Sequence, residues 1–290
     1  MLPASPPPPV DQLVTSRLAA ETAYATPGRP VTLALTFTLA PGWHIYWLNP
    51  GDSGIPTQPT LELPQGWSAG PWQFPLPKTF TQPGGLVGYG YSDTVTLLVE
   101  VTPPDSFTSG DAELAVDTTF LVCETVCIPG RQRATVRVTA AGTDLQRSAR
   151  ETPELARTAP EGRTDFDRWR ALMPLNDLSA AIPAKPVGPT PPAKAGTAAQ
   201  RRWNAPLPPL PAGRSPSSVE VYPLPGEGLD LSDVQATTGE SGADVSCTVR
   251  IFAGTTVVPP TILVLLVVED ASGDRRGHWV ELPLLGPEGH

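Results

Sequence analysis

Prolines and glycines punctuate this chain from end to end, and they limit what it can fold into. There are 38 prolines and 26 glycines among 290 residues. A proline inside a helix removes a backbone donor and clashes with the preceding turn, so long helices are excluded over most of the length. The two residue types together fall just short of the roughly 25–30% that marks wholesale disorder. An all-β protein interrupted by a proline-rich linker is what remains, and the length suits two domains better than one.

Charge excludes one class of function. Lys and Arg number 20 against 29 Asp and Glu, a net charge of −9. A nucleic-acid binder needs basic patches that displace counterions from phosphates, so no nucleic-acid partner is expected. The longest apolar run, residues 261–268, has the length of a strand and falls far below the ~18 residues of a membrane span. Residues 1–9 show neither a basic n-region nor an apolar h-region. The expectation is a cytosolic protein, or an exported one whose leader is missing from this sequence.

Alternation marks the strands. Residues 31–39, Val-Thr-Leu-Ala-Leu-Thr-Phe-Thr-Leu, alternate apolar and polar side chains with the period of a half-buried strand. Pro41-Gly42 then turns the chain into the aromatic run Trp43–Trp47. Further strand-like runs at 94–101, 112–121 and 134–139 are separated by Gly, Pro and Asp clusters. Such spacing predicts an immunoglobulin-like antiparallel β-sandwich. One helix is expected before Pro174, capped by Thr164 and carrying Phe166, Trp169 and Leu172 at helical spacing, packed on the edge of the first domain. Basic residues outnumber acidic ones only in 141–214, where Pro-rich stretches favour extended chain. Runs at 218–222, 243–252, 261–268 and 279–284 predict a second, small β domain. The resulting division is a disordered Pro-rich N-terminus over 1–11, a sandwich over 12–140, a helical connector over 141–180, a Pro-rich linker over 181–215 and a small β domain over 216–290.

The cysteines are Cys123, Cys127 and Cys247. Residues four apart on an extended strand lie about 13 Å apart at ~3.3 Å per residue, whereas a disulfide needs Cα atoms within about 4.4–6.8 Å. Cys123 and Cys127 can therefore bond only if residues 124–126 make a tight turn, for example a three-residue hairpin loop. A bridge closing so small a loop constrains little chain and is a poor staple. A redox switch, two buried free thiols, a modest structural bridge and a soft-metal pair all stay open on spacing alone. No metal site and no cofactor are expected. Cys247, inside an alternating strand, reads as a small buried hydrophobe. A hydrolase is disfavoured, because His290 is terminal, His278 follows an Arg-Arg-Gly turn, and only His44 is left as a base.

Longer motifs carry a resemblance. The run Gly42-Trp-His-Ile-Tyr-Trp-Leu-Asn-Pro-Gly-Asp-Ser-Gly-Ile-Pro-Thr57 is followed by Leu63-Pro-Gln-Gly-Trp67, Gly88-Tyr-Gly-Tyr91 and Phe120-Leu-Val-Cys-Glu-Thr-Val-Cys-Ile-Pro-Gly130. Over residues 12–140 this series resembles the N-terminal periplasmic domain of the thiol:disulfide interchange protein DsbD, in the version found in the suppressor-of-copper-sensitivity protein ScsB. The resemblance implies a redox pair at Cys123 and Cys127 and a shielding aromatic cap, whose residues fall on Phe80 and Tyr46. It also implies a periplasmic setting with inner-membrane association. The function implied is a relay of reducing equivalents from a membrane electron carrier to oxidised, thioredoxin-like periplasmic proteins, making the chain a component of a protein-disulfide reductase. The alternatives are a non-catalytic interaction module with a structural disulfide, and a Cu(I)-handling copper-tolerance protein. The chain departs from DsbD in placing three residues between the cysteines where DsbD has five. The family's membrane and thioredoxin-like domains have no counterpart within residues 1–290, so the electron donor is expected to be a separate protein or a section following His290. Glu124 beside Cys123 opposes a thiolate there. A pair that reacts only when a partner docks is therefore expected, with slow alkylation in isolation.

Overall fold

The computed structural model describes residues 8–82, 84–142, 162–188, 195–224, 226–239 and 242–284, the side chains of 162–164 excepted. The chain divides into two compact units, residues 1–171 and 172–290.

The first unit opens with a one-turn helix α1 (Val10–Leu13). Its strands are β1 (Val14–Ala20), β2 (Tyr24–Ala25), β3 (Val31–Leu39), β4 (His44–Gly51), β5 (Gln58–Glu62), β6 (Ser68–Ala69), β7 (Lys78–Thr81), β8 (Val87–Ser92), β9 (Thr94–Thr102), β10 (Asp111–Cys123) and β11 (Cys127–Ala140), and helix α2 (Gly162–Arg170) follows. One sheet has the order β1-β3-β9-β6 and the other β2-β11-β10-β4-β8-β7, with β5 also paired to β10. Nearly every pairing is antiparallel, β2 with β11 being parallel. The immunoglobulin-like sandwich expected from the alternating runs is the observed architecture. Its two layers meet through side chains such as Phe37 of β3 and Phe120 of β10, whose rings sit edge to face at 6.1 Å, the geometry that aromatic quadrupoles prefer.

Strand β3 spans the predicted residues but is not half-buried. Val31 to Leu35 are all buried, because its second face is covered too. Helix α2 touches β9, and Arg170 at its end pairs with Glu21 and donates to Thr32 Oγ1. Phe166 and Trp169 are buried in this packing. The expected cap is corrected: the helix begins at Gly162, so Thr164 lies inside it and is not its N-cap, and Leu172 falls beyond its end and is exposed. Within the N-terminus expected to be disordered, residues 1–7 are outside the described residues, while Val10 and Asp11 belong to α1.

The second unit contains β12 (Ile182–Pro183), β13 (Lys185–Pro186), β14 (Ala198–Ala205), β15 (Pro216–Leu224), β16 (Leu229–Thr238), β17 (Ala243–Ile251), β18 (Thr261–Asp270) and β19 (Arg275–Pro283). They form two four-stranded sheets, β12-β19-β18-β15 and β13-β14-β17-β16. Trp203, Val245, Val249, Val264, Val280 and Leu282 share its core. Here the linker reading of 181–215 is corrected. Strand β14 lies inside that stretch, pairs with β17 over its whole length and buries Trp203 and Ala205. Prolines flank the strand without entering it, and a flanking proline interrupts no ladder bond. The proline-rich composition hid an integral strand of the second sandwich.

Candidate functional site

Strands β10 and β11 form one long hairpin, and its tip is the candidate site. The ladder runs from Asp111 opposite Thr139 to Cys123 opposite Cys127, leaving Glu124, Thr125 and Val126 as the turn. Glu124 N–H donates to Val126 O at 3.1 Å and closes it. The tight turn that a bond between these cysteines requires is therefore present. Cys123 and Cys127 are joined as a disulfide, with Cα atoms 4.2 Å apart. The two residues differ in surroundings: Cys123 is 2% exposed, whereas Cys127 is exposed.

Strand register explains which side chains meet the disulfide. Val122 of β10 lies opposite Ile45 of β4, and Cys123 opposite His44. Because strand side chains alternate faces, Trp43, Ile45 and Trp47 belong to one face with Val122, and all four are buried. His44 and Tyr46 belong to the other face, with Cys123. The aromatic run thus divides between core and site.

Tyr46 reaches both sulfurs. Its hydroxyl donates to Cys123 Sγ at 3.3 Å and lies 4.0 Å from Cys127 Sγ. The Tyr46 residue is fully buried, and that burial raises the phenol above its ordinary pKa, opposed by a hydrogen bond with Gln82. It is therefore a protonated donor at neutral pH. Its backbone is held as well, since Thr57 Oγ1 donates to Tyr46 O at 2.8 Å. Gly54, with φ of +122°, brings the following loop so close that an added Cβ would stand 2.6 Å from the Tyr46 ring.

The β7–β8 hairpin supplies Phe80. The Phe80 ring packs on His44 at 4.1 Å between centroids and on Tyr46 at 5.9 Å, and His44 meets Tyr46 edge-on at 5.4 Å. The hairpin is tied to the loop after β4. Val87 N–H donates to Asp52 Oδ2 at 2.7 Å, Asp52 N–H donates to Val87 O at 2.8 Å, and Ser53 Oγ donates to Gln82 Oε1 at 2.8 Å. Glycine is required where the strands crowd: a Cβ on Gly90 would strike Ile45 O, and one on Gly88 the Phe80 ring.

The structure thus gathers Cys123, Cys127, Tyr46 and Phe80 around one hairpin tip. Two site neighbours escaped the sequence reading, His44 and Gln82. His44 was legible in principle, since it sits two residues from Tyr46 on the same strand and so shares its face. Its Nε2 is buried without a hydrogen-bond partner, and burial lowers its pKa below the ordinary imidazole value. Among the described residues no group of three or more His, Cys, Asp or Glu side chains is disposed to hold a metal ion. Cys247 is remote in kind as well as sequence: buried in the second unit, with its thiol pushed up to about 12 chiefly by that burial.

Comparison with known proteins bears on the fold. Residues 12–139 match the family described as thiol:disulfide interchange protein DsbD, N-terminal. The N-terminal periplasmic domain of ScsB from Proteus mirabilis superposes with a TM-score of 0.59 at 18% identity, covering 96% of this chain and 96% of that one. The N-terminal domain of Neisseria meningitidis DsbD in its reduced form aligns over 46% of this chain and 94% of its own, with 12% identity and a TM-score of 0.30. Among curated proteins none matches. No helix of the described residues is long and apolar enough to cross a membrane. Residues 12–139 thus match the family of the DsbD N-terminal domain, and the chain shares its fold with the ScsB N-terminal periplasmic domain.

Proposed function

We propose that this protein is a periplasmic dithiol–disulfide relay, in which Cys127 exchanges with partners and Cys123 resolves the mixed disulfide. The observation that carries the reading is the asymmetry of one bonded pair, a buried sulfur and an exposed one on a two-residue-wide ladder end. Exchange proceeds by attack of a thiolate on one sulfur of a disulfide, and access selects the sulfur. A partner thiolate reaches Cys127, forms a bond to its sulfur and expels Cys123 as the leaving thiolate beneath Tyr46. In the opposite direction Cys127 attacks an oxidised partner, and Cys123 then closes on Cys127 and releases the partner reduced. Phe80 and Tyr46 act as the shield, their rings packed against His44 over this face of the sheet. Partners of thioredoxin-like build, with one exposed reactive sulfur, suit such a tip, and the reducing equivalents come from a membrane electron carrier.

Two measurements test this. Equilibration with glutathione should give a potential near those of exchanging oxidoreductases, whereas a structural bridge would sit below about −300 mV. Trapping should follow the asymmetry. Cys123→Ser, which leaves Cys127 unable to resolve, should accumulate mixed disulfides in a periplasmic extract, and Cys127→Ser should not. Equal trapping by both variants, or by neither, would overturn the assignment.

A further inference from the structure

We propose that His44 is the base that takes the thiol proton of Cys123 when the buried cysteine closes on a mixed disulfide held by Cys127. The inference rests on the relay reading and adds the group that moves the proton. Three observations carry it. His44 and Cys123 are direct partners in the β4–β10 register, and side chains so placed share one face with Cβ atoms about 4.5–5.5 Å apart. Its ring is fixed between Phe80 and Tyr46, so it is not free to swing into solvent. Its Nε2 is buried with no hydrogen-bond partner, although buried polar atoms are nearly always satisfied. A ring nitrogen without a partner, on the strand face that carries the buried Cys123, is what a proton-accepting group needs.

The chemistry requires such a group because Cys123 is shut from water. A thiol must become a thiolate to attack, and Tyr46, a donor, stabilises the anion but cannot accept its proton. In the step proposed, the Cys123 S–H bond breaks and its proton passes to His44 Nε2. The thiolate then forms the S–S bond to Cys127, the bond between Cys127 and the partner breaks, and the partner sulfur leaves with the electron pair. The imidazolium returns its proton to that sulfur or to solvent. The protein dithiol is oxidised and the partner disulfide reduced. Burial keeps His44 neutral at pH 7 and available as an acceptor. The titratable groups facing it are Cys123 from β10 and Tyr46 from its own strand. Ser92 is its register partner on β8 and Phe80 stacks on it from β7. The charged groups at the nearby ends of these elements, Lys78, Asp93 and Glu124, are exposed.

The test uses the reduced full chain and 5,5′-dithiobis(2-nitrobenzoate) in stopped flow. The first equivalent of thionitrobenzoate reports attack by Cys127 and the second reports closure by Cys123. His44→Phe keeps a ring against Phe80 and removes the acceptor. It should slow the second phase at pH 7 by on the order of 100-fold, within the usual range for a general base, and leave the first phase unchanged. The deficit should shrink as pH rises and Cys123 ionises unaided. His44→Gln, should the Phe variant fold poorly, should show the same pH-dependent deficit. A second phase with wild-type rate and pH profile, or equal slowing of both phases at every pH, overturns the role of His44. Absence of a second phase in the wild type overturns the relay reading itself.

Discussion

The Tyr46 hydroxyl lies 3.3 Å from Cys123 Sγ and 4.0 Å from Cys127 Sγ, so one donor serves both ends of the bond that must open. Opening places negative charge on the buried Cys123, where hydrogen bonds to charged groups are worth about 1.5–3 kcal/mol. Tyr46→Phe keeps the ring that Gly54 and Phe80 pack against and deletes only the donor. Reduction of the disulfide by dithiothreitol at pH 7 should slow roughly tenfold, the lower end of that energy range, with the far-UV spectrum unchanged. A wild-type reduction rate would show that the hydroxyl does not stabilise the leaving sulfur.

The Asp52–Val87 pair makes access to the site a matter of local opening. Two backbone-anchored bonds join the loop after β4 to the start of β8, and Ser53–Gln82 adds a third on the surface. Exposed hydrogen bonds contribute about 1 kcal/mol each, which is about a fivefold change in an opening equilibrium. Asp52→Ala should therefore speed both amide exchange at Val87 and reduction of the disulfide by roughly that factor, while the urea midpoint barely moves. Faster amide exchange without faster reduction would separate this hairpin from the protection of the sulfurs.

Much of this site was legible in the sequence, and the parts that were not have physical causes. Val31–Leu39 alternates cleanly and is strand β3. The short strands β5 to β8 escaped detection because they are two to six residues long and broken by Gly and Pro, leaving too few periods to count. Strand β14 was masked by surrounding prolines, although Trp203 and Ala205 occupy alternate positions on it. The cysteine spacing alone left four readings open, since only the turn at residues 124–126 decides whether the sulfurs meet. His44 was read only as the one plausible base of a disfavoured hydrolase, because its proximity to Cys123 arises from pairing between residues 79 positions apart, which no local pattern reveals.

Gly54 and Gly85 separate strain from crowding. Both have positive φ, +122° and +79°, but a Cβ on Gly54 would stand 2.6 Å from the Tyr46 ring while one on Gly85 meets nothing within 4 Å. Gly85→Ala should cost about 1 kcal/mol from backbone conformation alone. Gly54→Ala must also displace the ring that contacts the sulfurs, for a total of roughly 2–4 kcal/mol. Urea unfolding gives both values, and the Gly54 variant alone should change the reduction rate of the disulfide. Equal costs for the two would mean that the loop moves aside freely and that Tyr46 is not held from above.

Cys247 provides a pH signature in the second unit. Burial pushes its thiol from 9.0 up to about 12, against the pull of the neighbouring Arg201. The folded chain therefore keeps this proton between about pH 9 and 12, where the unfolded chain releases it. The unfolded state binds fewer protons there, so the contribution is fully present below pH 9 and is lost as pH climbs toward 12, by about 1.4 kcal/mol per pH unit. With the Cys123–Cys127 bridge oxidised, neither of those sulfurs titrates. The stability of the wild type relative to Cys247→Ala, measured by urea unfolding from pH 8 to 10.5, should fall with this slope above pH 9. In the native state below pH 9 iodoacetamide should leave Cys247 untouched, and modify it once urea unfolds the chain. A pH-independent stability difference between the two proteins, or rapid native labelling at Cys247, would place that thiol in contact with solvent.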